Sequence, residues 1–439
     1  MSSGRRATPL PELCEQVLDL VGDRAEAEVA ATVGRSALTR FANSAIHQNV
    51  AEDHLFVRLR LVADGRLAAS TTTRPGPDGL RGLVERTLDV AAVRPPDPGW
   101  PGLAPPAAVA EIDRYDADTA RASADRRADV VAAFVGADLG LAGAGYCDTS
   151  GYEVAFANSA GQRAAGRVSK AAVDAIHRTA TSDGLGWQAA ARLADLDGAA
   201  AGRVAAAKAR AGADPADLAP GRYEVVLEPA AVADVVGFLL GGFSGRTHAE
   251  GRSFVRLGEA QLDPRITLRD DVCAPGTFGL PFDAEGTPKQ AVDVVVDGVS
   301  AGLYHDRRSA REAGVASTGH AVVGGESFGP MASNAVLSAG DRSLKELIGS
   351  VDRGLLVSDL WYTRVLDPKT QVVTGLTRNG TFLVEGGEIV GGVRNLRFTQ
   401  SYVEALGPGR VLGVGSDARV RESGYVVPSL HLASWQFTG

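Results

Sequence analysis

Val232, Val235, Val236, Leu239, Leu240 and Phe243 recur at the spacing of one helical face. Pro229 suits a first helical position, and Gly241, Gly242 and Gly245 thin out the far end, so a helix is expected over 228–245 with one side turned inward. The same spacing predicts helices over 10–21 (Leu13, Val17, Leu18, Val21), 79–93 (Leu80, Leu83, Val84, Leu88) and 199–211. It also predicts a long helix over 117–139 (Val130, Val131, Phe134, Val135) and a short one over 343–351. Alternation marks strands instead at 25–33 and at 55–61, where Leu55, Val57, Leu59 and Leu61 are interleaved with Arg58 and Arg60. Asp64-Gly65 turns that strand into 66–72. Two short extended pieces flank Asn43-Ser44, and further strands are expected at 142–149, 152–158, 223–227 and 291–297.

From residue 221 onward the apolar runs are short and repeatedly interrupted, by Asp297-Gly298, Asn379-Gly380, Gly386-Gly387 and Gly391-Gly392. The fold class is therefore α+β. An N-terminal domain over 1–213 combines antiparallel sheet and helices, with a proline-rich connector at 94–107 and a central helical part at 117–213. A C-terminal domain over 214–439 is mainly antiparallel and barrel-like, around the central helix 228–245. Asp214–Gly221, bounded by turn residues, is the boundary. One five-residue run, Phe41-Ala-Asn-Ser-Ala, returns as Phe156-Ala-Asn-Ser-Ala, each time where a strand gives way to a turn. It is either the trace of an internal repeat or a coincidence of an alanine-rich composition.

Composition narrows the function. With 439 residues, 45% apolar and 22% charged, the chain has the balance of an ordinary globular protein. A net charge of −8 without a basic stripe argues against nucleic-acid binding. Cys14, Cys147 and Cys273 lie far apart, which suits a reducing cytoplasm, and no run of 18 apolar residues suggests a membrane span.

Three places carry candidate chemistry. His248 and Glu250 follow the central helix and read either as a degenerate metal or acid/base pair or as a polar loop. A helical zinc site needs a second histidine a turn away, and Arg252 stands there instead. The loop Gly279–Pro288 sets Phe282, Asp283, Glu285, Gly286 and Thr287 between glycines and prolines. It could line a substrate cleft, or Asp283 could cap backbone amides in an Asx turn. His305-Asp306 with Arg307, Arg308 and Arg311, followed by Ser317-Thr-Gly-His320, contains serine and histidine but no nucleophile elbow, which leaves His320 a weak catalytic candidate. Gly324-Gly325 lacks the lysine of a phosphate loop, and His47, His54, His177 and His431 show no ligand spacing.

Taken together, Gly279–Pro288, Asp297-Gly298-Val with Tyr304-His-Asp, and Ser309-Ala-Arg-Glu-Ala-Gly with Ser317-Thr-Gly-His-Ala resemble the TldD/PmbA family. The N-terminal Phe41-Ala-Asn-Ser and Ile46-His-Gln-Asn49 and the Pro95–Trp100 connector are similar to that family's first domain. The resemblance implies one of two branches. TldD-type subunits bind zinc through an HExxxH helix and a distant cysteine and cleave peptides; TldE (PmbA)-type subunits share the fold, lack those ligands and pair with a TldD subunit. Here Gly241, Gly242 and Arg246 stand where His, Glu and His would be, and 411–439 holds no cysteine. The resemblance thus points to a TldE-like subunit with no metal of its own, zinc in a TldD-type partner, and an unfolded or precursor peptide as shared substrate. The alternatives are a diverged enzyme or enzyme subunit of natural-product biosynthesis, with His248, Glu250 and His320 among its first candidates, and a non-enzymatic homodimeric binding protein. The family's older label as a modulator of DNA gyrase finds no support in an acidic chain.

Overall fold

A computed structural model describes residues 8–438. The first half is a six-stranded antiparallel sheet with helices on one face. In chain order it runs α1 (Leu10–Val21), β1 (Glu26–Ala42), β2 (Ala45–Ala63), β3 (Arg66–Thr72), α2 (Pro77–Ala92), α3 (Ala117–Ala120), α4 (Ala124–Gly136), β4 (Ala142–Asn158), β5 (Arg163–Arg178), β6 (Asp183–Ala190) and α5 (Gly198–Ala211). The strand order is β3-β2-β1-β4-β5-β6. Two consecutive meanders, each preceded and followed by a helix, thus meet across the antiparallel pair β1–β4. On the shared back face Leu13, Val17, Leu83 and Val84 cover Val29, Val57 and Leu59 in the first meander. Val131, Phe134, Ala201 and Ala205 cover Phe41, Cys147 and Val173 in the second.

The internal repeat is therefore real, but the five-residue echo is not its signature. β1 and β4 are both 17 residues long and align end to end. Against that alignment the echo is out of register by one residue, and a one-residue slip in a strand turns a side chain to the other face. Phe41 accordingly packs backward on Phe134, with ring centres 5.9 Å apart, whereas Phe156 faces forward against Phe282.

Three expectations change. The long helix over 117–139 is two helices, because Asp116 and Ser123 each cap a new start by accepting from Thr119 and Arg126 N–H. The stretch 117–213, expected as a helical part with strands only at 142–149 and 152–158, also contains β5 and β6. The short pieces around Asn43-Ser44 and at 142–158 are parts of continuous strands of 17–19 residues, because the β1–β2 and β1–β4 ladders run on through them.

The second half continues with β7 (Gly221–Leu227), α6 (Pro229–Gly242), α7 (Gly245–Ala249), β8 (Leu268–Asp270), β9 (Val292–Val296), β10 (Val299–Ser300), α8 (Arg307–Ala313), β11 (Ala335–Leu337) and α9 (Leu344–Gly349). It ends with β12 (Arg353–Asp367), β13 (Val372–Glu385), β14 (Glu388–Gly392), β15 (Arg397–Ser401), α10 (Tyr402–Ala405), β16 (Val411–Val414), β17 (Arg419–Val420), β18 (Val426–Val427) and β19 (Leu430–Thr438). Strands β12, β7, β19, β15 and β13 pair in that order, and β13 returns to β12, closing a five-stranded barrel. All of its pairings are antiparallel except β7–β12. A second sheet runs β10-β9-β8-β11-β18-β17.

The helix α6 lies in one core with residues of both: Val232, Val235, Val236, Leu239 and Leu240 cluster with Val225, Leu355 and Leu432 of the barrel and with Leu268, Val294 and Leu337 of the small sheet. It is buried nearly all round rather than on one side, as expected of a helix whose apolar residues are not confined to a stripe. Among the described residues no helix is long and apolar enough to cross a membrane.

Candidate functional site

The end of α6 is where the sequence concentrates its candidates. The chain leaves the helix at Phe243, and Ser244 opens the short α7. Gly245 lies against the His305 imidazole so closely that a Cβ would sit 2.1 Å from the ring, so only glycine fits there. Arg246 donates from Nε to Glu250 Oε1 at 2.8 Å and from Nη1 to the Glu326 carbonyl at 2.9 Å. The other Glu250 oxygen accepts from Arg252 Nε at 2.8 Å. Hydrogen bonds from Arg246 and Arg252 hold the Glu250 carboxyl below the usual range. An exposed glutamate clamped by two guanidinium groups is a poor base. His248 and Glu250 are thus neighbours in sequence, but Glu250 faces arginines rather than a reaction centre.

The loop Phe282–Thr287 is a clasp between the domains. Asp283 Oδ1 accepts from Glu285 N and Thr287 N, both at 2.9 Å, and its Oδ2 accepts from Ala321 N at 2.9 Å. That is the Asx-type cap, extended to a second loop. Burial, then the adjacent Glu285, pushes the Asp283 carboxyl up. Glu285 Oε1 lies 3.0 Å from Arg60 Nη2 on β2, and its Oε2 accepts from Arg307 N at 3.1 Å. Arg60 Nε lies 2.6 Å from Glu28 Oε1. Trp100 of the proline-rich connector lies 5.2 Å from the same guanidinium. Phe282 packs on Phe156 and Ala164. Gly286 sits at φ +74°, where a Cβ would meet the Phe156 ring, and its carbonyl accepts from Gln162 Nε2 at 2.7 Å. Phe282, Asp283, Glu285 and Gly286 are buried and Thr287 is half-buried. The structure places these residues in an interdomain joint, where the sequence left a substrate cleft or an Asx turn as alternatives. Bordering Glu285, Arg60 and Trp100 is a gap of about 20 Å³, room for roughly one water.

Two further polar groups lie behind the clasp. Ser309 Oγ donates to Asp306 Oδ1 at 2.6 Å, and His305 Nδ1 is 3.2 Å from the same hydroxyl. Asp306 also caps α8 by accepting from Ser309 N. Burial lowers the His305 pKa. With the hydroxyl proton committed to Asp306 and all three side chains buried, the trio closes a helix end and offers no nucleophile. His320 is fully buried. Its Nε2 lies 3.1 Å from Asp270 Oδ1, and its Nδ1 lies 2.8 Å from Thr318 Oγ1. Asp270 Oδ2 accepts from Ser333 N and Asn334 N, and Lys289 Nζ is 3.8 Å from Oδ1. Burial raises the Asp270 pKa, but His320 and Lys289 outweigh it and hold it down. Sequence reading missed Asp270 and Lys289. Each sits in an ordinary short strand or loop, and only the fold brings them to His320.

The residues at the end of α6 do not fit zinc ligation. Gly241 and Gly242 have no donor atoms in their side chains, and Arg246 is a cation engaged with Glu250 and Glu326. Among the described residues no three His, Cys, Asp or Glu side chains converge on a common point that could hold a metal ion. Cys14 and Cys147 are buried, Cys273 is exposed, and none is in a disulfide.

Known proteins resemble the chain along its length. Residues 220–439 match the family described as the PmbA/TldA metallopeptidase C-terminal domain. A metalloprotease of Methanothermobacter thermautotrophicus is 28% identical over 214 residues, 46% of this chain and 44% of that protein. A metalloprotease TldD homolog of Haemophilus influenzae is 29% identical over 156 residues, 34% and 32% of the two chains. The chain thus spans less than half the length of the curated relatives it matches. Among solved structures, TldE from Thermococcus kodakarensis superposes with a TM-score of 0.86 at 22% identity, over 98% of this chain and 99% of that one. A Thermotoga maritima protein described as a modulator of a DNA gyrase gives 0.86 at 20%, over 97% and 99%. At such identities the superpositions establish the fold.

Proposed function

Since the chain belongs to the PmbA/TldD metallopeptidase family, we propose that it is a subunit of the TldE type, without catalytic zinc, that pairs with a TldD-type zinc metallopeptidase to cleave unfolded or precursor peptides. The observation that carries this reading is the end of α6. Where the family's zinc branch needs two histidines and a glutamate, this chain has Gly241, Gly242 and Arg246, and Arg246 is built into a structural clamp with Glu250 and the Glu326 carbonyl. The three cysteines outside any disulfide suit a cytoplasmic setting. In such a pair this subunit would stabilise its partner and complete the substrate channel, the partner supplying the Lewis acid and the activated water.

The test is metal content and peptidase activity, measured on the chain alone and on the complex co-purified with a TldD-type chain. Zinc and cleavage of an unfolded peptide should appear only in the complex. Stoichiometric metal or turnover in the isolated chain would overturn the reading and turn attention back to His248 and Glu250.

A further inference from the structure

Between the proline-rich connector, the clasp and α8 lies a pocket of about 310 Å³, small for a ligand site but roomier than a water needs. Pro101, Ala104 and Pro105 of the connector, Pro288 beyond the clasp, Ala310 on α8 and Val315 just past it give it apolar walls. Proline rings hold much of that lining stiff. Val315 keeps 53% of its surface exposed, so one apolar wall stands open to solvent. Thr287, at the end of the clasp, borders the same space.

Two cations interrupt this lining, Arg307 and Arg311. Arg307 donates from Nε to the Gly102 carbonyl at 3.2 Å and from Nη2 to the Pro101 carbonyl at 3.4 Å, and Arg311 donates from Nη1 to the Trp100 carbonyl. Carbonyls orient the guanidinium groups without neutralising them, and most of the donors on each remain for a ligand. Among the described residues neither arginine has a carboxylate partner. The carboxylates around them are engaged elsewhere: Asp97 pairs with Arg308, Asp306 caps α8, and Glu285 pairs with Arg60 while accepting from the Arg307 backbone N–H. Arg307 and Arg311 stand four residues apart on α8, where side chains of like charge are neighbours and repel. Arg307 is half-buried and Arg311 exposed.

We propose that this pocket receives the C-terminal residue of a peptide, its carboxylate on Arg307 and Arg311 and an apolar side chain against the prolines and Val315. A planar guanidinium matches a carboxylate in shape as well as charge, and an anion between two like charges relieves their repulsion. A terminal residue carries a carboxylate and an apolar side chain on one carbon, which no internal residue does. The inference rests on the peptide-handling reading and names the end of the peptide that this subunit holds. It lies wholly within this chain, so it is tested without a partner or zinc. Isothermal titration on the full chain would compare an acetylated, unstructured neutral peptide ending in leucine, the same peptide amidated at its C-terminus, the same peptide ending in serine, and free isocaproate.

The leucine acid should bind about tenfold more tightly than its amide, and the difference should shrink as salt is raised. It should also bind more tightly than the serine peptide. In R307Q/R311Q the acid and the amide should bind alike. Because those arginines also hold the connector, the acid–amide comparison and its salt dependence in the unmodified protein decide the question if that variant fails to fold. Equal binding of acid and amide by the unmodified protein, or a preference that survives in R307Q/R311Q, would overturn the site. Serine and leucine peptides binding equally would overturn the apolar contact, and isocaproate binding as tightly as the leucine peptide would overturn the assignment to a peptide terminus. Absence of zinc or peptidase activity from a reconstituted complex would count against the subunit reading instead.

Discussion

Arg60 joins the two domains electrically, and its environment sets the sign of what substitution does. Replacing it with leucine leaves Glu28 and Glu285 buried without a cation, which should cost about 3–5 kcal/mol in denaturant unfolding. The triple variant E28Q/R60M/E285Q, which removes the charges together, should recover most of that loss. Gly286→Ala adds a Cβ at positive φ and against the Phe156 ring, and a loss of roughly 1–3 kcal/mol in the same measurement is expected. Asp148 gives a pH signature. Burial pushes its folded pKa up to about 7, above the ordinary 3.8, so the native state holds the extra proton between those values. Stability should therefore fall as pH rises from about 4 to about 7 and level off above. Asp148→Asn should flatten that slope and stabilise the protein at pH 8 by about 1–3 kcal/mol, read from thermal melts at several pH values. At this scale the sequence was legible where partners are local. The Asp283 cap could be read because the amides it accepts from, Glu285 and Thr287, lie within four residues. The Glu285–Arg60 pair could not, since 225 residues separate the partners.

Elements were legible in proportion to how one-sided their burial is. The helix α1 falls on the predicted residues, and α2 lies within two of them, because each lays a single apolar stripe on the sheet. Periodicity carried straight through 117–139 because Ala recurs on both sides of the break; the polar caps Asp116 and Ser123 were the signal that went unused. Ser123→Ala should remove the Arg126 N–H bond and destabilise α4 by about 1 kcal/mol, measurable as a lowered unfolding midpoint with an unchanged denaturant slope. Long strands were read as short ones because the polar residues at 45–53 lie on an exposed stretch of β2, where alternation carries no hydrophobic contrast.

For the whole molecule, the α+β class, the barrel-like second half and the central helix were visible in the sequence, because turn residues and apolar runs report local geometry. The duplication of the first half was not, since its two copies share architecture without sharing sequence in register. Closure of the barrel was hidden as well: β13 returns to β12 while β7 and β19 pair across more than two hundred residues. That pairing has a consequence for the order in which the protein can be made. The neighbours of β7 are β12 and β19, both later in the chain, so β7 leaves the ribosome with neither and its second side stays open until residues 430–438 emerge. At about 5–20 residues per second the wait is roughly 10–40 s. During it α6 has no finished barrel to pack against, while every strand of the first sheet has already been synthesised. Nascent chains released short of β19 should therefore yield a folded first sheet tethered to a sticky, protease-sensitive remainder, and the nine residues of β19 complete the second domain's core.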